Sequence, residues 1–88
     1  DDKERNKTLK DIEGSLRKTG YTQIFMETPY RNEKMIESII KNCNNKLKLC
    51  IAVDVSLDTE HIVTRTIENW KHNKENYHKR PAIFVLGN

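Results

Sequence analysis

The sequence predicts a mixed α/β fold in which one sheet of about four or five strands is packed with helices. Two apolar patterns support this prediction. Isoleucine and leucine recur at helical spacing in two segments, whereas short apolar runs rich in β-branched residues occupy four others. The predicted order of elements is α-β-α-β-β-α-β. The helix between the first two strands allows a right-handed crossover between parallel strands.

The first helix is predicted over residues 3–19, where Leu9, Ile12 and Leu16 form a narrow apolar stripe among charged neighbours. Gly20 is predicted to end it, because glycine readily adopts the left-handed conformation that follows many helices.

The first strand, Tyr21 to Glu27, ends abruptly. Pro29 fixes its own φ angle and pushes Thr28 into an extended conformation, so polar residues begin where the strand stops. Asn32 is predicted as the N-cap of the second helix, which carries the clearest helical pattern in the chain. Its apolar positions share one face: Met35, Ile36, Ile39, Ile40 and Cys43.

Three further strands are predicted at residues 46–55, 62–66 and 82–86. The run from Leu49 to Val53 has no polar residue, which is typical of a central strand covered on both faces. The strand at 62–66 is rich in β-branched residues and is expected to be more exposed.

A short helix and a loop separate the last two strands. Thr66 is predicted to cap this helix, in which Ile67 and Trp70 share a face. Residues 73–80 are predicted to form a polar loop, and Pro81 opens the last strand, where no ladder donor is needed.

Length and charge bound the possible functions. The 88 residues suffice for one domain, spanning residues 1–88, and the apolar content of 35% is lean beside 33% charged residues. Because the chain starts with Asp and ends directly after an apolar run, we expect a domain taken from a longer protein. The net charge of +3 is spread among alternating acidic and basic residues, which favours a solvated surface over a nucleic-acid stripe.

The cysteines and the hydropathy predict a cytoplasmic protein. Cys43 and Cys50 lie within apolar patterns and are interpreted as reduced core residues. No segment resembles a signal peptide or is long enough to cross a bilayer, so no membrane partner is expected.

No catalytic motif is present in the sequence. The three histidines lie in polar segments, where solvent exposure is the expected state. A zinc site could be built from Cys43, Cys50, His72 and His78, but their spacing matches no usual ligand motif, and no metal site is predicted. With three glycines and no Walker or dinucleotide-binding loop, the chain offers no backbone phosphate cradle. The chain alone is not expected to be a catalyst, and no catalytic residue can be assigned.

Three strand ends carry polar groups: Glu27-Thr28, Asp54 to Ser56, and the entry to the last strand at Arg80-Pro81. A carboxylate at such a position can simply end a strand or cap a helix. It can also hold a small ligand at the sheet edge. Tyr30 and Arg31 could reach a substrate or a phosphate, although Arg31 could equally pair with a nearby glutamate.

Two alanines lie within otherwise bulky strands. Ala52 and Ala82 would permit the close approach of a flat ring, whereas the simpler interpretation is that each accommodates a packed helix.

The first strand end also carries a family resemblance. Residues 23–31, Gln-Ile-Phe-Met-Glu-Thr-Pro-Tyr-Arg, resemble the I-F-Y-E-S/A-P-H-R segment of the ribosomal RNA small-subunit methyltransferase I group. This group belongs to the tetrapyrrole methylase family of S-adenosylmethionine-dependent methyltransferases. Residues 49–56 look like its Ala-Arg-Glu-Leu-Thr strand end. Pro81 to Gly87 is similar to the closing P-A-L-I-V-V-G strand of the tetrapyrrole branch. The helix at 3–18 and the segment at 60–70 agree in order with further family patterns.

The resemblance implies a two-domain methyltransferase of which this chain would be the C-terminal domain, forming one wall of the S-adenosylmethionine site. It implies a homodimer and a ribosomal RNA substrate, methylated at a ribose 2′-hydroxyl. By resemblance, Tyr30 and Arg31 would contact the substrate. The residues that it implies for the cofactor are Met26, Glu27, Thr28, Ala52, Pro81, Ala82 and Ile83.

The sequence departs from the RNA group at Tyr30, where histidine is usual, and at Asp54, where glutamate is usual. Alternative functions are therefore a tetrapyrrole (corrin or porphyrin) methyltransferase domain and a non-catalytic RNA- or ribosome-binding module. A self-contained structural domain is a further alternative.

Overall fold

Three helices pack on one face of a four-stranded sheet. The structure is a computed structural model that describes residues 2–73 and 75–88. The elements, in chain order, are α1 (Asp2–Thr19), β1 (Gln23–Met26), a 3-10 turn (Pro29–Arg31), α2 (Asn32–Asn42), β2 (Lys48–Val53), β3 (His61–Thr66), α3 (Ile67–Trp70) and β4 (Ala82–Gly87). The mixed α/β class and the predicted order of elements are confirmed.

The sheet has the strand order β1-β4-β2-β3, and every neighbouring pair is antiparallel. β1 and β2 therefore run in the same direction with β4 between them, so the crossover through α2 joins parallel strands that are not neighbours. As a consequence, β1 and β2 end, and β4 begins, at the same end of the sheet. We call this end the strand-end edge.

The core lies between the sheet and the helices. Alternate residues of β2 and β4 point towards the helices and are fully buried, as the two-residue period of a strand requires. Phe84 stacks on Phe25 with ring centroids 5.6 Å apart. The side chain of Trp70 donates a hydrogen bond to the backbone oxygen of Leu49 at 2.7 Å. The other large members of the core are Leu9, Leu16, Ile36, Ile39, Ile51, Val53, Ile67, Tyr77 and Leu86.

The described residues leave the opposite face of the sheet open. The central position of β2 is confirmed, but coverage of the Leu49–Val53 run on both faces is wrong, because all three helices lie on one side. Ile24 and Met26 are 72% and 71% exposed, and Ile62 is 56% exposed. We call this the open face; the residues that point to it are Ile24, Met26, Cys50, Ala52, Ile62, Thr64, Ile83 and Val85.

Two helix boundaries follow the predicted chemistry and one does not. Gly20 has a φ of 76° and donates its amide to the oxygen of Leu16, which ends α1. Thr66 caps α3 by accepting the amide of Asn69 at 3.2 Å. The N-cap role of Asn32 is wrong: the residue is already helical, and its side chain points into the protein.

The segment before β4 contributes one residue to the core. Tyr77 is fully buried within it and packs edge-on against Trp70 at 6.2 Å between centroids. The prediction of a polar loop over 73–80 is therefore corrected at this residue, and Lys74 lies outside the described residues. The loop thus adds one aromatic ring to the core.

The two faces of the sheet should respond differently to the same substitution. Ile51→Ala removes a fully buried side chain and should lower the free energy of unfolding by about 2–5 kcal/mol. Ile62→Ala, on the open face, should cost less than about 1 kcal/mol, because its side chain is already in water. Urea denaturation of both variants provides the comparison. Equal losses would show that the open face is covered in solution.

Candidate functional site

One row of apolar side chains crosses the open face beside the strand-end edge. Met26 is paired with Ile83, and Ile83 with Ala52. Ala52 is paired in turn with Ile62. Directly opposed residues of antiparallel strands share a face, so these four side chains form a continuous band, which we call the Met26 row. Three of its members, Met26, Ala52 and Ile83, come from distant sequence segments and belong to the predicted cofactor residues.

The other predicted cofactor residues lie outside this row. Glu27 accepts the backbone amide of Thr28 at 2.8 Å, so the carboxylate stabilises the turn after β1. Pro81 is exposed at the beginning of β4. Ala82 is buried among the helices and points away from the row, which agrees with the simpler interpretation of that alanine. The cofactor roles of all these residues stay predictions.

A surface cleft of about 220 Å³ adjoins the strand-end edge, between α1, β1 and α2. Met26, Glu27 and Arg31 line it, together with Glu4, Arg5, Thr8, Phe25 and Met35. Tyr30 does not join Arg31 there. Its ring lies 6.2 Å from that of His78 and 5.7 Å from the Nζ of Lys79. The structure thus separates the two predicted substrate residues, and their substrate roles stay predictions.

The strand-end edge is held by a buried polar anchor. The amide nitrogen of Asn32, which is fully buried, donates to the backbone oxygens of Tyr77 at 3.0 Å and Arg80 at 2.5 Å. Glu33 accepts the backbone amide of Tyr77 at 2.6 Å. The start of α2 therefore fixes the segment that leads into β4. We call Asn32, Glu33, Tyr77, Arg80 and Asp54 the anchor cluster.

Asp54 completes the anchor cluster from the end of β2. Its Oδ2 accepts the Nε of Arg80 at 2.9 Å and the hydroxyl of Thr59 at 2.9 Å. These partners, the Thr59 hydroxyl first and then the Arg80 guanidinium, lower the pKa of the Asp54 carboxyl. Asp54 also has a φ of 52°, a conformation that Asp and Asn adopt more readily than most residues. The carboxylate at this strand end is thus occupied by the protein's own cation and hydroxyl.

A second polar group ties the 75–77 segment to the edge strand β3. Glu75 accepts the hydroxyl of Tyr77, lies 2.8 Å from the Nε2 of His61, and lies 3.5 Å from the guanidinium of Arg65. The Tyr77 hydrogen bond is the main cause that lowers the pKa of the Glu75 carboxyl, followed by His61 and Arg65. Burial and the Glu75 contact raise the pKa of Tyr77. Arg65 also stacks on the ring of Trp70 at 4.7 Å.

The histidine prediction is corrected at one residue. His72 and His78 are exposed, whereas His61 lies in β3 and is paired with a carboxylate. Among the described residues, no group of three or more His, Cys, Asp or Glu side chains could hold a metal ion. No helix in residues 2–73 and 75–88 has the length and hydropathy to cross a bilayer.

Both cysteines are free thiols. Cys43 belongs to the core, and burial raises the pKa of its thiol to about 11, so it stays protonated at neutral pH. Cys50 is half-buried and lies on the open face, one row away from Ala52.

The Met26 row fits one side of a nucleoside-type cofactor. Ala52 lies between Ile62 and Ile83, and its short side chain leaves room for a flat ring against an apolar surface. The polar groups of Glu27 and Thr28 follow at the end of β1. The adjoining cleft of about 220 Å³ is smaller than the roughly 300–1,000 Å³ that small-molecule pockets usually enclose. The described residues can therefore supply a wall for such a ligand and do not enclose it.

The residues that organise this edge are hard to predict from local sequence. Asn32 at a helix start is read first as a cap, and nothing in the sequence pairs it with carbonyl groups 45 and 48 residues away. Tyr77 is a lone aromatic residue in a polar segment. An isolated aromatic residue in a polar segment is a signal visible in the sequence, and it could have predicted that Tyr77 is buried.

Replacing Asn32 should release the segment before β4. Asn32→Ala removes the Asn32 donor from the part-buried Arg80 oxygen and leaves the Tyr77 oxygen with the Arg80 backbone amide at 3.3 Å, so the free energy of unfolding should fall by about 1–3 kcal/mol. Asn42→Ala serves as the control, because Asn42 lies at the far end of the same helix and is only half-buried. Urea denaturation measures both. An equally small effect of the two variants would contradict the anchoring role of Asn32.

The acid sensitivity of folding should depend on Asp54. The pKa values of Asp54 and Glu75 are lowered in the folded protein, so their contributions are complete above the unfolded-state pKa of about 4 and are lost as pH falls through the folded-state values. Asp54→Asn retains a residue that tolerates positive φ and should lose less stability on acidification than the wild type. Urea midpoints measured from neutral pH to about pH 2.5 test this. Asp58→Asn, an exposed residue in the same loop, should follow the wild-type profile.

The comparisons with known proteins concern the fold. No family model and no curated protein matches the sequence. Solved structures do match, among them the crystal structure of the methyltransferase CobJ, with a TM-score of 0.58 and 13% sequence identity over 92% of this chain. The match covers 34% of the CobJ chain, so this chain spans about a third of the length of that protein. At this identity the similarity shows a shared fold. The chain has the fold of part of a methyltransferase.

Proposed function

We propose that the chain is the C-terminal domain of an S-adenosylmethionine-dependent methyltransferase and supplies one wall of its cofactor site. The Met26 row is the observation that carries this proposal. Met26, Ala52 and Ile83 lie 26 and 31 residues apart in sequence, and the strand order places them side by side on an exposed apolar surface. The family resemblance implies the same three positions for the cofactor, and the fold similarity to the methyltransferase CobJ supports it.

The chemistry of the proposal is methyl transfer. S-adenosylmethionine, when bound, supplies a methyl group on a sulfonium; the sulfur–carbon bond breaks, a bond forms to an acceptor oxygen, and the acceptor's proton leaves to solvent or to a base. Such a reaction gains most from holding the two reactants in line. The anchor cluster would serve that purpose, because it contacts the end of β2 and the segment leading into β4, next to Ala52 and Ile83. The proposal assigns no general base to this chain.

The proposed substrate is ribosomal RNA, methylated at a ribose 2′-hydroxyl. It is supported by residues 29–31, Pro-Tyr-Arg, which follow the RNA group of the family more closely than the tetrapyrrole branch. A cytoplasmic homodimer is part of the same proposal. The second candidate is methylation of a tetrapyrrole, which the closing segment Pro81 to Gly87 favours by its similarity to that branch.

Cofactor binding should require more than this chain. The 88-residue chain should bind S-adenosylmethionine weakly or not at all in calorimetry, because its row is open to solvent on one side. The protein from which it comes should bind clearly. In that protein Ala52→Leu should raise the dissociation constant at least about tenfold, since about 1.4 kcal/mol of lost contact suffices. Cys50→Leu, on the same strand and face but outside the row, is the matched control.

Tight binding by the 88-residue chain alone would contradict the shared site. Equal effects of the Leu substitutions at residues 52 and 50 would contradict the assignment to the Met26 row. Transfer of a labelled methyl group to RNA or to a tetrapyrrole separates the two substrate candidates.

A further inference from the structure

Two stripes of lysine lie on the outer surface of the helical layer. Lys3, Lys7 and Lys10 follow one another at helical spacing along α1, and all three are exposed. Lys34 and Lys41 are exposed on α2, two helical turns apart. Each stripe is about 10 Å long, which equals about three nucleotide steps along one strand of a duplex.

A polar groove separates the two helices beside these stripes. Asn42 donates to the side-chain oxygen of Asn6 at 3.1 Å, which links the helices across the groove floor. Lys34, Ser38 and Lys41 line it from α2. A second depression along α1 includes Lys3, Glu4, Asn6, Lys7 and Lys10. We call the two depressions together the α1–α2 groove.

The charge of the chain is concentrated at this groove. Six basic and two acidic side chains line it, a surplus larger than the net charge of +3 of the entire chain. The remaining residues are therefore acidic on balance. The alternating charges that suggested an evenly solvated surface in the sequence are sorted in space, because the helical period places lysines seven apart on one side.

The α1–α2 groove shares lining residues with the cleft at the proposed cofactor edge. Arg5 lines both this groove and the cleft that contains Met26 and Glu27. Glu4 likewise lines that cleft and the α1 depression. A ligand lying along the lysines would therefore extend towards this cleft, which meets the Met26 row at Met26.

We propose that the α1–α2 groove binds the sugar-phosphate backbone of RNA and directs it towards the strand-end edge. Apart from Glu4 and Glu37, the lining side chains are lysine, arginine, asparagine and serine, which are the types that contact phosphate and sugar. No aromatic side chain lines the groove, so bases have no stacking platform there and binding is independent of sequence. The choice of RNA as the nucleic acid rests on the proposed function.

The packing of α1 favours a nucleic acid over a membrane surface. Leu9 and Leu16, the apolar stripe of this helix, are buried in the core. A basic helix that lies on lipid must turn its apolar face into the bilayer, and this helix cannot do so without leaving the sheet.

Fluorescence anisotropy with a short labelled RNA duplex and the 88-residue chain, without S-adenosylmethionine, tests the proposal. Affinity should fall as KCl rises from about 50 to 200 mM, with a log–log slope of about −2 to −4. The triple variant Lys3→Gln, Lys7→Gln and Lys10→Gln should weaken binding roughly 10- to 100-fold and flatten the slope by about 2. Glutamine preserves helix propensity, and circular dichroism verifies folding.

The matched control carries Lys46→Gln, Lys48→Gln and Lys71→Gln, three exposed lysines outside the groove with the same total charge change. Near-wild-type RNA affinity is expected for it. Equal weakening by both triple variants would overturn the proposal in favour of non-specific charge attraction. Stronger binding to anionic phosphatidylserine vesicles than to RNA would overturn it in favour of a membrane surface.

The outcome is separable from that of the cofactor proposal. If RNA binds through the lysines but the longer protein does not bind S-adenosylmethionine, the methyltransferase proposal is contradicted and the RNA-binding proposal is supported. If the longer protein binds S-adenosylmethionine but RNA affinity does not depend on Lys3, Lys7 and Lys10, the methyltransferase proposal is supported and the RNA-binding proposal is contradicted.

Discussion

The side-chain amide of Asn32 joins parts of the chain that are far apart in sequence. It lies at the start of α2, directly after the turn that ends β1, and it holds the two backbone oxygens that precede β4. Arg80, held in this way, reaches Asp54 at the end of β2. Because a buried carbonyl without a donor costs about 1–3 kcal/mol, this amide does more than a surface hydrogen bond could. It adds a tertiary link to the ladder pairing that aligns the three strand ends and forms the Met26 row.

The two faces of the sheet differ in burial. On the helical side, alternate residues of β2 and β4 are fully buried and supply the hydrophobic stabilisation that an 88-residue chain needs. On the open side, isoleucine and methionine remain in water at a hydrophobic cost of about 25 cal/mol per Å² of apolar surface that could be buried. A chain with only 35% apolar residues that keeps several of them exposed on one sheet face fits the proposed role of that face as a wall for a ligand.

Periodicity predicted what depends on local sequence and failed where distant residues decide. The stripe of Leu9 and Leu16, the glycine that ends α1 and the Thr66 cap are local features, and all are found as predicted. The coverage of β2 could not be read from Leu49–Val53, because an uninterrupted apolar run is the same whether its second face meets a helix or another molecule. The role of Asn32 depends on carbonyls 45 and 48 residues later, which no local pattern encodes. The site residues followed from family resemblance, and the strand order then brought three of them together.

The positions of the groove and the row give the two proposals a common geometry. The lysines lie on the helices and the Met26 row lies across the open face. The cleft at the edge of β1 shares Arg5 with the groove and Met26 with the row. A polyanion held only by phosphate contacts is free to slide, since such contacts carry no sequence information. Methyl transfer needs one acceptor oxygen held in line with a sulfonium. In this arrangement the groove would raise the local concentration of RNA, and the edge fixed by Asn32 would determine where the reacting sugar stops.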